Sequence, residues 1–435
     1  MPPKSTNGSR ATPFSRFEVR RLTPEAAQNL RAARYVIAAG VVAALHVGKL
    51  PPALPVLREV LGISLLQAGF LLSLVQLAGM ALGLFTGLIA QRIGLKRSMV
   101  AGLLILACAS ALGGMAQSAV WLLAMRVLEG LGFLWTVLPA PGLVRRLVPH
   151  ERLHGMLGVW GAYMPLGASL ALLAGPWIMH LGAPDWGWRF LWWLLSALAV
   201  MLALLLVWRV PADAQWPPAS VQAQQGTQNS QNIKLLSLTL RSRAVWLMAL
   251  TFAMYSGQWL AVIGFLPSIY AQAGLPGVMT AWLTAGAAAV NILGNLLAGR
   301  LLGRGRPPFA LLATGFAAMA AGALLAFGAT AFPVWQYAGV LVFSMLGGLI
   351  PATLFSLSIR LAPSTDTVST TVGWIQQWSA LGQFAGPPLV AWVAAQAGGW
   401  QLTGWTTSVC CVIGVVLAWH IHCMLTNEPV ALLKK

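Results

Sequence analysis

Apolar runs alternate along the whole chain with short polar or glycine-rich breaks. A helix needs roughly 20 apolar residues to cross about 30 Å of hydrocarbon, so each run of this length predicts a membrane span. The pattern therefore predicts an all-α membrane protein with twelve transmembrane helices. The spans are expected at 35–56, 65–89, 98–116, 120–144, 155–178, 189–208, 244–270, 280–302, 309–328, 334–359, 368–395 and 400–424.

The longest polar break, at 209–243, divides these spans into two sets of six. Its Gln, Ser, Asn and Pro content is typical of a flexible linker, with a short surface helix expected at 234–241. The predicted organisation is a basic tail at 1–34, a six-helix bundle at 35–208, the linker at 209–243, a second six-helix bundle at 244–424 and a tail at 425–435.

The composition excludes most other classes of protein. Hydrophobic residues make up 58% of the chain and charged residues only 8%, whereas soluble domains carry about 25% charged residues. The four cysteines form no CxxC pair, which argues against a disulfide scaffold and a zinc site. The chain has no GxSxG, HExxH or P-loop pattern. We therefore expect no enzyme activity, no metal and no cofactor.

The formal net charge of +18 would suggest a nucleic-acid partner in a soluble protein, but here the basic residues lie mainly in loops and tails. On the twelve-span map, 23 of the 27 Lys and Arg residues fall on one side. The positive-inside rule then predicts that both termini are cytoplasmic. We expect the protein in a bacterial inner membrane, with the lipid bilayer rather than nucleic acid as its partner. The Arg- and Ser-rich segment 1–34 is also compatible with an organellar transit peptide.

The second half repeats the first at an offset of about 212 residues. Two of the six matches are Leu54-Pro55 with Leu266-Pro267, and Gly175-Pro176 with Gly386-Pro387. Any single match could be a coincidence of common residues, but all six occur in the same order at nearly the same offset. Two similar six-helix halves are the arrangement of transporters that work by alternating access.

Two motifs resemble signatures of the major facilitator superfamily. Gly87, Gln91, Arg92, Gly94, Lys96 and Arg97 follow the superfamily's Gly-x3-Asp-Arg-x-Gly-x-Arg-Arg gating motif, with Gln91 where Asp is usual. The segment from Arg126 to Gly132 resembles the Arg-x3-Gly-x-Gly signature in the fourth span. The resemblance covers nearly the whole chain and implies the major facilitator fold, two pseudo-symmetric six-helix bundles around a central cavity.

Four ionisable residues lie well inside predicted spans: His46 and Lys49 in the first, Arg126 and Glu129 in the fourth. At 1.5 Å per residue, Lys49 and Arg126 both lie about 9 Å from the outer edge, and His46 and Glu129 about 13 Å. The first and fourth spans line the cavity in the resembled fold, so we expect the four side chains to face one another. The alternative is that they only hold helices together, with His46 an ordinary core histidine.

The second half carries polar and aromatic groups at the corresponding depth but no charge. Tyr255, Gln258, Asn291, Trp374 and Gln377 are candidates to bind the neutral part of a substrate. For the tryptophan, simple packing is the competing interpretation.

The charge pattern favours a small anionic substrate. Lys49, Arg126 and His46 outnumber the single carboxylate of Glu129, and a guanidinium offers a fork to an oxyanion. Glu129 and His46 are the candidates for proton coupling. We therefore expect a proton-coupled secondary transporter of a small anion, with a resemblance to the cyanate-porter branch in this basic cluster and in the segment 377–387. A proton-coupled exporter of drugs or metabolites is the alternative.

Overall fold

The computed structural model describes residues 24–183, 186–213, 234–329, 332–364 and 367–432, and over this part of the chain it is helical without strands. The helices are α1 Pro24–Gly48, α2 Leu50–Val60, α3 Leu65–Ser73, α4 Leu77–Ile93, α5 Leu95–Gly114, α6 Ala119–Val137, α7 Ala140–Leu147, α8 His150–Gly161, α9 Tyr163–Leu181, α10 Gly187–Arg209, α11 at 234–241, α12 Arg243–Gln272, α13 Gly277–Gly303, α14 Pro308–Gly328, α15 Pro333–Gly347, α16 Leu349–Leu361, α17 Val368–Ala397 and α18 Thr403–Leu432.

Each of the twelve predicted spans corresponds to one helix or to two consecutive helices. The paired ones are α1 with α2, α3 with α4, α6 with α7, α8 with α9, and α15 with α16. Within the described residues, eleven segments are long and apolar enough to cross a membrane. The remaining span, α17, has 30 residues and is more polar because it carries Gln376, Gln377 and Gln383.

The predicted boundaries differ from the structure mainly at the amino-terminal end. The first helix begins at Pro24 rather than at residue 35, because the segment 24–34 continues the helix beyond the apolar run. The surface helix expected at 234–241 is confirmed by α11. Residues 1–23 of the predicted tail, 214–233 of the linker and 433–435 of the second tail lie outside the described residues.

Among the interrupted spans of the first half are the first and the second. Lys49 separates α1 from α2, and Pro51 and Pro52 follow it at the start of α2. Because proline has no N–H, two carbonyls of the preceding turn lose their usual helical partners. In the second span, a short 3-10 turn at Leu74–Gln76 separates α3 from α4. Such a turn locally changes the hydrogen-bond pattern from i→i+4 to i→i+3.

The core divides into separate clusters: one lies within the first six spans, the largest lies mainly within the last six, and a third combines residues of both halves, including Leu71 and Phe265. In the second half, α12 and α17 cross so closely that a Cβ atom on Gly386 would overlap the carbonyl oxygen of Gly257. Large apolar side chains also cover the outside, where Trp177, Trp208 and Trp282 are more than half exposed. An apolar exterior around a packed interior is what a protein dissolved in lipid requires.

The two halves contact each other along several pairs of helices. Helix α9 packs against α13, α17 packs against α3 and α4, and α2 packs against α12. Gly69 lies against the backbone of Pro387 and Pro388, and Gly83 lies beside Gln377. The contact between the second and eleventh spans therefore extends from the middle of α3 into the first half of α4.

Candidate functional site

The four ionisable side chains predicted within the spans form one contact cluster. The Nζ atom of Lys49 lies 2.5 Å from Oε1 of Glu129, and Nη1 of Arg126 lies 2.5 Å from Oε2 of the same carboxylate. His46 lies beside them, with Nδ1 3.9 Å from Oε1 of Glu129. The depth matching in the sequence thus identified side chains that meet, and we call His46, Lys49, Arg126 and Glu129 the charge cluster.

Lys49 and His46 are held by groups from the third and sixth spans. The Nζ atom of Lys49 donates to Oγ of Ser110 at 2.8 Å and lies 4.5 Å from the centre of the Trp192 ring. It also lies 3.3 Å from Nδ1 of His46, while Nε2 of His46 lies 3.3 Å from the carbonyl oxygen of Leu195. A neutral His46 that carries its proton on Nε2 satisfies both contacts.

Arg126 binds the backbone at both helix interruptions. Its Nη1 atom donates to the carbonyl of His46 at 2.9 Å, three residues before the break at Lys49. Its Nε atom donates to the carbonyl of Leu71 at 3.1 Å, three residues before the 3-10 turn. The guanidinium therefore joins the first and second spans at the places where their own hydrogen bonding is irregular. Its Nη2 atom has no hydrogen-bond partner among the described residues.

The charge cluster is closed off from solvent in this conformation. All four residues have zero exposed surface, and every partner named above belongs to the first six spans. With His46 neutral, two cations face one carboxylate, so the cluster carries one uncompensated positive charge. A solute reaches Lys49 or Arg126 only if the first half rearranges. The expected position of these residues on a central cavity is thus not what this conformation shows.

The candidate residues of the second half fall into two places. Asn291 donates through Nδ2 to the hydroxyl of Tyr255 at 3.0 Å and to the carbonyl of Ser344 at 2.8 Å. Gln258 is directed elsewhere: its Nε2 atom bonds the carbonyl of Met254 at 2.7 Å, and its Oε1 accepts from Sγ of Cys411 at 3.3 Å. Tyr255 and Asn291 therefore form a pair from which Gln258 is separate.

Trp374 and Gln377 lie on α17, near the contact between the halves. Trp374 packs edge to face against Trp246 and Trp378, with ring centres 5.1 and 6.1 Å apart, and its Nε1 has no described partner. Gln377 donates through Nε2 to the carbonyl of Met80 in the other half at 2.7 Å, while its Oε1 lacks a described partner. Gln377 thus connects the two halves directly.

The gating motif is stabilised by an acidic residue that lies far away in the sequence. Oδ1 of Asp213 accepts from the amide of Lys96, and Oδ2 accepts from the amide of Arg97, both at 3.0 Å. Gly94, with φ of 108°, opens this turn, and a Cβ there would overlap the Asp213 carboxylate. Lys96 in turn bonds the carbonyls of Val207 and Val210 at the end of α10, at 2.9 and 2.6 Å.

Asp213 is a residue that the sequence reasoning missed. It follows the sixth span directly and is the only acidic residue between positions 185 and 366, which is the signal that the sequence offered. In the helix that precedes the turn, Gly87, Gln91 and Arg92 have side-chain environments outside the described part of the structure. Whether Gln91 takes part in gating thus stays a prediction. Among the described residues, no three His, Cys, Asp or Glu side chains cluster in a way that could hold a metal ion.

Comparison with protein families and solved structures gives consistent matches. A family model described as Major Facilitator Superfamily matches residues 36–386. The solved structure of a bacterial homologue of the human lysosomal transporter Spinster, in an inward-facing and occupied conformation, superposes with a TM-score of 0.77 at 16% identity, covering 92% of this chain and 97% of that one. This likeness concerns the fold.

Curated relatives are somewhat more similar in sequence, and the solutes in their names differ. The cis,cis-muconate transport protein of Acinetobacter baylyi is 28% identical over 54% of this chain and 57% of its own length. The inner membrane metabolite transport protein YgcS of Escherichia coli is 26% identical, over 79% of this chain and 80% of its own. The cyanate transport protein CynX of Escherichia coli is 23% identical, over 56% and 60%. The match thus spans little more than half of the muconate and cyanate proteins.

Proposed function

Since the chain belongs to the Major Facilitator Superfamily, and so is a multi-pass membrane transporter rather than an enzyme, we propose that it moves a small organic anion together with protons. The solute would bind between the halves and cross by alternating access. The charge cluster would supply the positive charge and the proton-binding group, and the second half would supply neutral hydrogen-bonding groups.

The observation that carries this proposal is the unpaired Nη2 atom of the Arg126 guanidinium. This atom is buried without a described partner, in a cluster with an excess of one positive charge. An uncompensated cation at bilayer depth costs roughly 2.5–3.5 kcal/mol on insertion scales. An anion that reaches the cluster offsets this charge and accepts from the free arm of the planar fork, which an ammonium group does not offer in the same geometry.

The helix interruptions supply the required movement. Arg126 binds both carbonyls next to the breaks, at His46 and Leu71, so a solute that competes for the guanidinium changes the hydrogen bonding of the first and second spans together. The second span also touches α17, which carries Trp374 and Gln377. Binding of the anion is thereby linked to the interface along which the halves would rock.

Proton coupling is assigned to Glu129 and His46. Glu129 is the only carboxylate in the cluster and contacts both cations, so protonation would release Lys49 and Arg126 from it. His46 contacts Lys49 through Nδ1 and is the neighbour that can accept a proton there. Glu129→Gln removes the titrating carboxyl group but retains its shape. It should therefore alter the pH dependence of uptake more than it alters anion affinity.

The relatives add chemical support for an anionic substrate. Two of the relatives are named as transport proteins for cis,cis-muconate and for cyanate. Muconate is a dicarboxylate, and cyanate is a small anion. The strong bias of Lys and Arg to one side of the span map supports cytoplasmic termini, and we propose the bacterial inner membrane as the location.

The test is uptake and binding of cis,cis-muconate and cyanate by the full chain in proteoliposomes. Arg126→Lys should lower the affinity for the transported anion at least about tenfold, because the free arm of the guanidinium is lost while the charge remains. Arg152→Lys, at an exposed arginine, serves as the matched control and should behave as wild type. Wild-type affinity and transport in a well-folded Arg126→Lys protein would rule out the anion site.

Export of drugs is the second candidate. The multidrug resistance protein MdtH of Yersinia pestis is 34% identical to this chain, over 35% of this chain and 37% of its own length. Glu129 would then serve a cationic cargo. Binding of lipophilic cations that depends on Glu129, together with no binding of either anion, would favour this function over the first.

A further inference from the structure

Two cavities adjoin each other at the end of the molecule where α2 meets α12. The larger has a volume of about 490 Å³ and the smaller about 260 Å³, and Pro55 and Ala271 line both. None of the residues proposed above for the anion or the proton lines either cavity. We call the two together the proline-lined cavity, and it is separate from the charge cluster.

The walls of this cavity are built from prolines of three spans. Pro52 and Pro55 come from the first span, Pro176 from the fifth and Pro267 from the seventh. A proline inside a helix removes one hydrogen bond and displaces the preceding turn, so helices that meet at prolines do not close against each other along their length. The space is thus a consequence of the helix geometry. Its remaining apolar wall is formed by Val56, Leu172, Met179, Trp188, Leu275 and Ala281.

One cationic group with free hydrogen-bonding capacity lines the smaller cavity. Arg58 is half-buried and makes a single described hydrogen bond, from Nε to the carbonyl of Ile63 at 3.4 Å. No described carboxylate forms an ion pair with it. Its exposed neighbour Glu59 lines neither cavity. The terminal nitrogens of Arg58 are therefore left for solvent or for a ligand with an oxyanion.

Two hydroxyl groups in the same walls also lack partners. Ser268, on the smaller cavity, is 3% exposed, and Thr280, on the larger, is 8% exposed. Neither hydroxyl oxygen has a hydrogen-bond partner among the described residues. A buried hydroxyl without a partner is unfavourable, and a ligand that accepts or donates a hydrogen bond would remove that cost.

We propose that the proline-lined cavity is a second binding site, for a small organic anion with a flat apolar body. The carboxylate pairs with Arg58 and bonds Ser268, and the body lies between the proline rings and Trp188. Cavities of this combined size, mainly apolar with a few polar groups, are those in which small molecules bind. This inference takes only the class of ligand, organic anions, from the proposed function. The same anions would be held here before they reach the charge cluster.

The test is equilibrium binding of labelled benzoate to the full chain in lipid nanodiscs. Benzamide has the same ring without the charge, acetate has the charge without the ring, and oleate represents a lipid. The wild type should bind benzoate about tenfold more tightly than benzamide or acetate. Benzamide loses one charge-assisted contact, and acetate loses the burial of one ring face. This comparison needs no variant, so it holds even if a substitution lowers the yield of folded protein.

The variants locate the site. Arg58→Gln should weaken benzoate binding about tenfold and remove the preference over benzamide, whereas Arg58→Lys should retain most of it. Ser268→Ala and Thr280→Val should each weaken binding several-fold. Glu59→Gln, an adjacent charge change outside the cavity, and Thr406→Val, a threonine of the twelfth span that lines neither cavity, are the matched controls and should bind as wild type.

The outcomes separate this inference from the proposed function. Benzoate binding that is unchanged in Arg58→Gln but lost in Arg126→Lys overturns the second site and leaves the anion transporter standing. Binding that depends on Arg58 and persists in Arg126→Lys supports the second site, whatever the transport assay shows. Binding of oleate without binding of benzoate assigns the cavity to a lipid chain and overturns the inference.

Discussion

Gln76 in the first half donates through Nε2 to Oε1 of Gln383 in the second half at 3.0 Å. Gln76 is the last residue of the 3-10 turn in the second span, and Gln383 lies in the middle of α17. The carbonyl of Val75, one residue earlier, packs against Gly130, which follows Glu129 directly in α6. The interruption of the second span therefore contacts α6 directly beside the charge cluster on one side, and the opposite half on the other.

The first prediction concerns this amide pair. Gln76→Ala or Gln383→Ala should lower the stability of the observed arrangement of the halves by about 1 kcal/mol, because the remaining amide stays partly buried. Each variant should widen the distribution of distances between spin labels at Leu61 and Gly274, just after the carboxyl ends of the first and seventh spans. The double variant should cost less than the two single costs added together. Strict additivity would mean that the two amides do not act as a pair.

The second prediction concerns the dependence of the cluster on charge balance. Glu129→Gln leaves Lys49 and Arg126 buried without a counter-charge, so it should destabilise the fold by about 3–5 kcal/mol. Adding Lys49→Met to that variant removes one of the two stranded cations and should restore much of the loss. The measurement is thermal unfolding in detergent, with Glu59→Gln as an exposed carboxylate control. No rescue in the double variant would show that charge is not the cause.

The third prediction concerns Asp213 and the gating turn. Asp213→Ala removes two hydrogen bonds to the start of α5 and should cost about 1 kcal/mol, similar to the loss of a helix cap. Gly94→Ala should cost more, about 1–3 kcal/mol, because φ of 108° strains any residue with a Cβ and because the Asp213 carboxylate occupies that space. Both should slow transport without changing anion affinity. A loss of affinity in either would place the turn in the binding site instead.

The fourth prediction concerns orientation in the membrane. Single cysteines at the exposed positions Ala212 and Gln401, in a background with Cys108, Cys410, Cys411 and Cys423 replaced by serine, should react with an impermeant thiol reagent from opposite sides. Ala212 should be reached from the cytoplasm, because it lies on the side that carries most of the basic residues. Labelling of Gln401 from the cytoplasm would reverse the proposed orientation.

The sequence predicted the periodic and local features of this protein well. Long apolar runs located the spans, and the change to a polar, helix-compatible segment located α11 at 234–241. Counting residues from the span ends placed His46, Lys49, Arg126 and Glu129 at matched depths, and the structure brings them together. Depth is readable because helix rise per residue is constant.

Contacts that depend on how helices rotate about their own axes were not predictable in this way. Ser110, Trp192 and Leu195 complete the charge cluster, yet a serine, a tryptophan and a backbone carbonyl in apolar spans look no different from packing residues. The pairing of Gln76 with Gln383 joins positions 307 residues apart, and the bond from Asp213 to the gating turn crosses more than 110. No periodicity encodes such pairs.

The complete enclosure of the charge cluster has a consequence for energy conservation in the cell. Glu129 and His46 have no exposed surface, so in this conformation neither side of the bilayer has a water path to the groups proposed to carry the proton. A carrier in this state does not let protons run down their gradient without cargo. Under this proposal, the closed packing of Ser110, Trp192 and Leu195 around the cluster prevents proton leak. A larger gap there, as in Trp192→Ala, would let protons cross the membrane without cargo before it impaired binding of the solute.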